Sequence, residues 1–478
     1  MEHIHLIGIG GAGLSAIAQV LLESGYQVSG SDRALSPLAA RIQAAGAQVF
    51  VGHHVDNIRG AHVVVRSSAI PDTNPEVIAA QAAGIPVLKR SEFLGRLTAG
   101  KWTIAIAGTH GKTTTTAMIA WMLNRLGQDP SYIIGGVAEN LNSNAHAGQG
   151  PYFVIEADEY DHMFLGLNPE IAVITNIEHD HPDFYPTEAD FYAAFQAFRR
   201  RIPPKGVLLY CVDDPGAERL ARENNGTGCR TLGYGLKPSG QPFRAIDIEP
   251  ITGNGIQFKA ICRDLVSEVH LQTPGEHNVR NALAALAVAD ELALAMDEAV
   301  QALEEFRGTG RRFEVHPDAG GITFIDDYAH HPTEIRSTLA AARARYPQQR
   351  IWAVWQPHTY SRTRLLRADF AKAFAAADRV VVTEIYPARE SAPADGFSAT
   401  HIAAEITQPD AVYIPELAQA ADYLLEELRP GDIVIVLSAG DADWITRRLL
   451  EILSTHDPVN ASMEPARFHK GSNRRNKK

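Results

Sequence analysis

Short β-branched and apolar runs alternate with amphipathic helical stretches along nearly the whole chain, the pattern of βαβ units stacked on parallel sheets. Residues 1–97 read as strands at 3–7, 27–30, 48–51, 62–66 and 86–88, with helices after the first (14–23), second and fourth strands. That is one doubly wound unit. A fresh buried strand, WTIAIAG, starts at Trp102, and residues 98–312 are long enough for a larger second unit. Within it, the polar alternation of LKPSGQPFRAIDIEPITGNGIQFKAI predicts antiparallel hairpins. A third unit, 313–457, runs through GITFIDD, RIWAVWQ, RVVVTEIY, AVYIP and DIVIVLSAG, each apolar run followed by helix-like sequence. Residues 458–478 are polar, basic and aperiodic, which predicts a disordered tail.

The 478 residues suit about three domains. A hydrophobic share of 45% and a charged share of 21% exclude a disordered chain or a coiled coil. The net charge of −12 argues against a general nucleic-acid binder, which needs a basic face, and four of the 44 cations sit in the last eight residues. Cys211, Cys229 and Cys262 lack CxxC spacing, so a zinc ribbon or a disulfide scaffold is excluded. No run approaches 18 apolar residues, and Met1 leads directly into the strand-like IHLIGIG. The expectation is a cytoplasmic protein without membrane insertion.

Three sets of residues carry chemistry. In HLIGIGGAGLSAIA, Gly8, Gly10 and Gly13 form GxGxxG between a strand and a helix, and Asp32 ends the next strand. Glycines let the backbone approach a diphosphate, which then sits on the free N–H groups of the helix start. The pattern predicts a dinucleotide or nucleotide-diphosphate site, the alternative being a turn used only for close packing. In WTIAIAGTHGKTTTTAMIAWML a buried strand and a glycine turn precede Lys112 and Thr113, which open a helix. This is a P-loop for a nucleoside triphosphate, shortened to GxxGKT from Gly108, with Ile106 where the usual first glycine would stand.

A P-loop needs an acid for its metal. YFVIEADEYD supplies Glu156, with Asp158 and Glu159 beyond it, and IAVITNIEHDHPDFY presents Asn176, Asp180 and His181 at the end of another strand. Such ends converge on the P-loop crevice, so Glu156 and His181 are candidate magnesium ligands beside Thr113. They make a poor zinc site, because no Cys or further His lies at ligand spacing nearby. The third unit offers Asp326, Asp327, His330 and His331 in FIDDYAHHPTEI, and His358, Arg362 and Arg364 in VWQPHTYSRTRLL, a surface suited to phosphates and carboxylates.

Together GIGGAG with GSD, SSAI, GTHGKTTT, EADE, TNIEHDH, GEHNVRNALAA, GRRFE, DDYAHHPTEI, QPHTYSRT, YPARE and SAGD resemble the motifs of the Mur ligases of peptidoglycan synthesis. Within that family the chain is most similar to the branch that adds L-alanine to UDP-N-acetylmuramate. The resemblance spans all but the tail. It implies a three-domain α/β fold: a Rossmann-like N-terminal domain, a central P-loop ATPase-type domain and a Rossmann-like C-terminal domain. It also implies an ATP- and Mg²⁺-dependent ligase. ATP phosphorylates the muramoyl carboxylate, the amine attacks the acyl phosphate, and ADP and phosphate leave. The implied partners are these small molecules only, and the implied state is a monomer or weak homodimer.

Carried over onto this sequence, Gly10, Gly11, Ala12, Gly13, Ser15, Asp32, Ser67 and Ser68 fall on the UDP-sugar site. Gly108, Thr109, His110, Gly111, Lys112, Thr113 and Thr114 fall on the ATP phosphates, and His277, Asn278 and Asn281 near the adenine. Arg312, Asp327, His330, His331, His358 and Arg362 fall on motifs that close over the nucleotide and the amino acid. Lys112, His181, His330, His358 and Arg362 are the implied catalytic set.

Three departures stand out. Thr359 occupies a position where many members carry Arg, and Ser438 one where the late motif often has Gly. No lysine lies between Pro182 and Pro204, where sister ligases carry a carbamylated lysine, which fits the L-alanine branch. Three rival readings remain open. QPHTYSRT speaks against a murein-tripeptide ligase on the same UDP-sugar, GTHGKTTT against a nicotinamide dehydrogenase, and the polar third unit against a non-catalytic nucleotide switch.

Overall fold

A computed structural model describes residues 1–455 apart from 224, 225, 227, 239, 253 and 254; the expected tail at 458–478 lies outside the described residues. Among the described residues the strands form three sheets, each drawn from a successive stretch of chain. Strands such as Ile351–Trp355 and Ile433–Leu437 are buried at every position. A strand covered on both faces must be apolar throughout, which is why these segments read as continuous runs.

The first sheet is parallel, ordered Gln48–Val51, Gln27–Asp32, His3–Ile7, Val63–Arg66, Val87–Lys89. Strand order reverses beside His3–Ile7, so the glycine loop that follows it lies at the switch point where such sheets bind ligands. In the ten-stranded second sheet, Trp102–Ala107 lies between Ile171–Ile174 and Tyr152–Glu156, all parallel. The P-loop, the acidic loop after Glu156 and the loop after Ile174 therefore emerge side by side. Phe243–Pro250, Ile256–Cys262 and Leu265–Leu271 form the expected antiparallel hairpins at one edge. The third sheet is ordered Glu314–Val315, Thr323–Asp327, Ile433–Leu437, Ile351–Trp355, Arg379–Val382, Ala411–Tyr413, with its first strand antiparallel to the rest.

One apolar cluster runs from Ile4, Leu6 and Leu14 to Phe153, Phe164 and Phe195, so the first two units share a core layer. The third unit has its own cores, around Trp355 and Phe370 on one face and Trp352 and Leu449 on the other. It meets the rest of the molecule largely through polar side chains.

Candidate active site

The glycine loop is braced by its own carboxylate. The Gly10 amide donates to Asp32 Oδ2 at 2.8 Å, and Ser36 Oγ donates to the Gly10 carbonyl at 3.1 Å. A Cβ on Gly13 would stand 1.8 Å from an Arg90 guanidinium nitrogen, so this glycine exists to let an arginine lie on the turn. Gly11 and Ala12 are exposed at the helix start, with Ser67 half-buried and Ser68 exposed on the neighbouring turn. Ser15 departs from expectation. It is fully buried and gives its hydroxyl to the Ala12 carbonyl at 3.1 Å, so its hydroxyl is engaged in the helix turn. Arg90, which the sequence reading passed over, borders an open cleft of about 530 Å³ with Ala12, Gly13, Thr113, Glu156, Arg311 and Arg312.

At the P-loop, Gly111 takes φ 80° and caps the helix Lys112–Arg125. The Lys112 ammonium donates to the carbonyls of Gly108 at 2.5 Å and Thr109 at 3.1 Å and pairs with Glu159 at 2.9 Å. Burial opposes its charge, but Glu159, Asp158 and Glu156 outweigh that and raise its pKa. Thr113 Oγ1 donates to Glu156 Oε1 at 3.2 Å, and the Gly135 amide donates to Oε2 at 2.7 Å. Burial nevertheless raises the Glu156 carboxyl, despite Lys112 and those donors. His181 sits against Glu159 at 3.6 Å and Asp180 at 3.8 Å. Its Nδ1 is buried with no hydrogen-bond partner among the described residues. Glu159, fully buried, thus links the lysine and the histidine. The sequence placed it just past a strand and had no means to see that link.

A second cleft beside the P-loop is bordered by His110, Gly111, Thr114, His277, Asn278, Asn281, Arg312 and Asp327, which brings together eight of the expected nucleotide residues. Asn281 accepts from Thr115 Oγ1 at 3.0 Å and donates to Asn278 at 3.1 Å, buttressing the P-loop helix from beneath. Burial, Arg280 and Arg312 lower the His277 pKa to about 4, leaving a neutral ring. Burial also raises Asp327 to about 6, against the pull of Arg312. Asp327 accepts from the amides of Phe313 and Ala329. The side chain of His110 faces carboxylates here: Glu178 at 3.0 Å and Glu334 at 3.1 Å.

In the third unit, the His330 Nδ1–H donates to the Tyr328 carbonyl at 2.9 Å, and burial lowers its pKa to about 4, so Nε2 is an acceptor. His331 is buried as the N-cap of the helix Pro332–Arg345. Arg362 is 3% exposed, with Nε on Asp180 at 2.7 Å and a terminal nitrogen donating to His358 Nδ1 at 2.9 Å. A solvated helix start is therefore excluded for it. Arg364 does not join this group; it pairs on the exposed side with Asp395. Thr359 sits buried at φ 65°, a left-handed backbone unusual for a β-branched residue and the kind of strain that gathers at functional sites. The Ser438 carbonyl accepts from Arg311 at 2.7 Å, and its hydroxyl donates to Gln356 at 2.7 Å, ties that keep the late loop beside the cleft.

Comparison with known proteins is consistent along the chain. Residues 3–102 match the family description "Mur ligase family, catalytic domain", 106–289 "Mur ligase middle domain", and 311–440 "Mur ligase, glutamate ligase domain". A UDP-N-acetylmuramate–L-alanine ligase of Geobacter sp. (strain M21) is 44% identical over 455 residues, covering 94% of this chain and 97% of the relative. The crystal structure of a UDP-N-acetylmuramate–alanine ligase from Thermotoga maritima is similar at TM-score 0.79 and 29% identity, covering 95% of this chain and all of that one. A murein peptide ligase from Psychrobacter arcticus is similar at TM-score 0.69 and 26% identity, covering 95% and 99%.

Proposed function

The chain belongs to the Mur ligase family, and from that premise we propose that it joins L-alanine to UDP-N-acetylmuramate with ATP, releasing ADP and phosphate in peptidoglycan synthesis. The observation that carries this is the near-full-length likeness to a ligase of that name. The likeness to a murein peptide ligase is lower in both identity and TM-score, and a dehydrogenase has no use for the P-loop.

In this reading, residues 1–97 hold the UDP-sugar through Gly10, Gly11, Ala12, Gly13, Ser67 and Ser68, with Asp32 bracing the loop. Residues 98–312 hold ATP. Gly108 to Thr114 wrap the phosphates, and Lys112 exchanges Glu159 for the transferring phosphoryl group as charge develops on it. Mg²⁺ fits Thr113 and Glu156, because a hydroxyl and a carboxylate are already in contact and the buried carboxyl is not fully offset by its protein donors. When bound, the ion neutralises phosphate charge. His181 is the further candidate ligand, through a buried nitrogen that lacks a partner among the described residues. His277, Asn278, Asn281, Arg312 and Asp327 take the nucleoside side. In residues 313–457, neutral His330 offers Nε2 to the incoming amine, while Arg362 and His358 stand beside it for the carboxylate. An acyl phosphate must be shielded from water, and the third unit docked over the P-loop excludes it.

The substrates are cytoplasmic small molecules, and no helix among the described residues is long and apolar enough to cross a membrane. The test is ADP release with UDP-N-acetylmuramate and, separately, L-alanine, glycine, L-serine or the murein tripeptide. Release driven by L-alanine is expected. Release driven by the tripeptide would reassign the chain to peptide recycling, and none with any acceptor would overturn the ligase reading.

A further inference from the structure

Three side chains outside the proposed magnesium site converge where the third unit meets the P-loop. His110 belongs to the P-loop, Glu178 to the loop after the strand Ile171–Ile174, and His331 caps the helix Pro332–Arg345. One donor atom from each lies within 4.8 Å of the other two. His110 Nε2 stands 3.0 Å from Glu178 Oε2, and His331 Nδ1 stands 3.9 Å from the same oxygen. The two imidazole rings are 4.6 Å apart. Ligands on a tetrahedral ion with bonds of 2.0–2.1 Å stand about 3.3 Å apart, so small side-chain adjustments bring these three into range. A second observation is independent of that spacing. His331 is 1% exposed, and its Nε2 is buried without a hydrogen-bond partner among the described residues. A buried imidazole nitrogen is costly to leave unpaired. Nδ1, the nitrogen nearer Glu178, already accepts from the Thr333 amide at 3.3 Å, so an ion engages His331 by turning the ring and replacing that cap bond.

We propose that His110, Glu178 and His331 form a binding site for a zinc-class divalent transition ion that ties the third unit to the P-loop. Two imidazoles and one carboxylate with an open fourth position are a donor set for Zn²⁺ rather than Mg²⁺, which prefers oxygen. The ligands come from three separate segments, and Thr333 Oγ1, in the same helix as His331, already donates to Glu178, 155 residues away, at 2.8 Å. The ion replaces the proton on His110 Nε2 that faces Glu178, while Nδ1–H keeps its contact with Glu334 and Thr333 orients the Glu178 carboxylate from behind. Because the site exists only while the third unit is docked, an ion in it slows the reopening that product release requires.

The binding measurements use the full-length protein without nucleotide or substrate, so their outcome is separate from that of the ligase assay. Zn²⁺ binding is followed by calorimetry and Co²⁺ binding by the visible absorption of a tetrahedral complex. Both are run in the wild type and in Glu178→Gln, His331→Ala, Glu156→Gln and His181→Ala. The expected result is a tetrahedral Co²⁺ spectrum in the wild type, Glu156→Gln and His181→Ala. Glu178→Gln, isosteric and confirmed as folded by its melting curve, and His331→Ala should each weaken Zn²⁺ by at least about 100-fold, beyond the 10–100-fold typical of losing an outer partner. Zn²⁺ should also slow wild-type turnover at saturating Mg-ATP, with reversal by a chelator. An absent tetrahedral spectrum in the wild type, a spectrum unchanged in Glu178→Gln, or one lost only in Glu156→Gln and His181→Ala would overturn the site.

Discussion

At the scale of single residues, the P-loop lysine carries two burdens that one substitution confounds. Lys112 is the proposed cation for the phosphoryl group, and it also neutralises buried Glu159. Lys112→Met should lower kcat by at least about 100-fold, the scale of one lost charge contact to the transition state. It should also cost about 3–5 kcal/mol by leaving a buried carboxylate unpaired. The double variant Lys112→Met/Glu159→Gln should recover most of the melting temperature and none of the turnover. Activity in that double variant would remove Lys112 from the chemistry. Two glycines divide in the same way. A Cβ on Gly13 meets only the mobile end of Arg90, so Gly13→Ala should leave the melting temperature nearly unchanged while weakening UDP-N-acetylmuramate binding in calorimetry. A Cβ on Gly30 meets the Leu6 carbonyl at 2.5 Å, and backbone cannot swing aside. Gly30→Ala should therefore cost about 1–3 kcal/mol through overpacking. Equal melting temperatures for the two variants would contradict this contrast.

Among the elements, the helix Pro332–Arg345 does most to join third unit to second. Glu334 accepts from the amides of His330 and His331, a reciprocal cap with the His331 ring, and its other oxygen reaches His110. Burial alone would lower the His110 pKa, but Glu334 and Glu178 outweigh it and raise it from 6.5 to about 9. A histidine with a raised folded-state pKa contributes fully below its unfolded value, and that contribution is lost as pH rises through the folded one. The Glu334 carboxyl is held well below its usual range, so it stays charged across this window. The melting temperature of the nucleotide-free protein should fall between pH 6.5 and 9, and Glu334→Gln should flatten that slope. The same slope in both proteins would mean that His110 does not couple the two units.

For the whole molecule, the decisive asymmetry is that the first two units share an apolar layer while the third docks through charge. Arg362 and Asp180, both almost fully buried, cross that junction, and Arg389 pairs with Asp183 while lying 4.1 Å over the Tyr160 ring. Polar junctions reopen more readily than apolar ones, which suits a domain that must close over an acyl phosphate and then release product. Arg362→Ala should lower kcat by at least about 100-fold while UDP-N-acetylmuramate affinity changes little. It leaves Asp180 buried and uncompensated, so the third unit should become more open in small-angle scattering and more sensitive to protease. Near-wild-type turnover would take Arg362 out of the site, and an equal collapse of UDP-sugar binding would put it in another.

What the sequence determined by itself was everything with a local cause. Strand, glycine turn and helix follow one another within a dozen residues at GIGGAG and GTHGKT, so periodicity and backbone freedom suffice to locate the two phosphate-type loops. Buried parallel strands announce themselves as apolar runs for the same reason, and the order of units follows from them. Tertiary structure alone decided which polar side chains meet. An acid just past a strand looks alike in sequence whether solvated or buried, and Glu159, Glu178 and Glu334 take their roles from Lys112, His110 and His331, partners brought close only by the fold. Ser15 and Arg364 show the converse: a motif position and a basic residue near the site are turned by the fold into a helix turn and a surface ion pair. Burial and long-range charge depend on the whole packing of the chain, and no stretch of sequence a few residues long contains them.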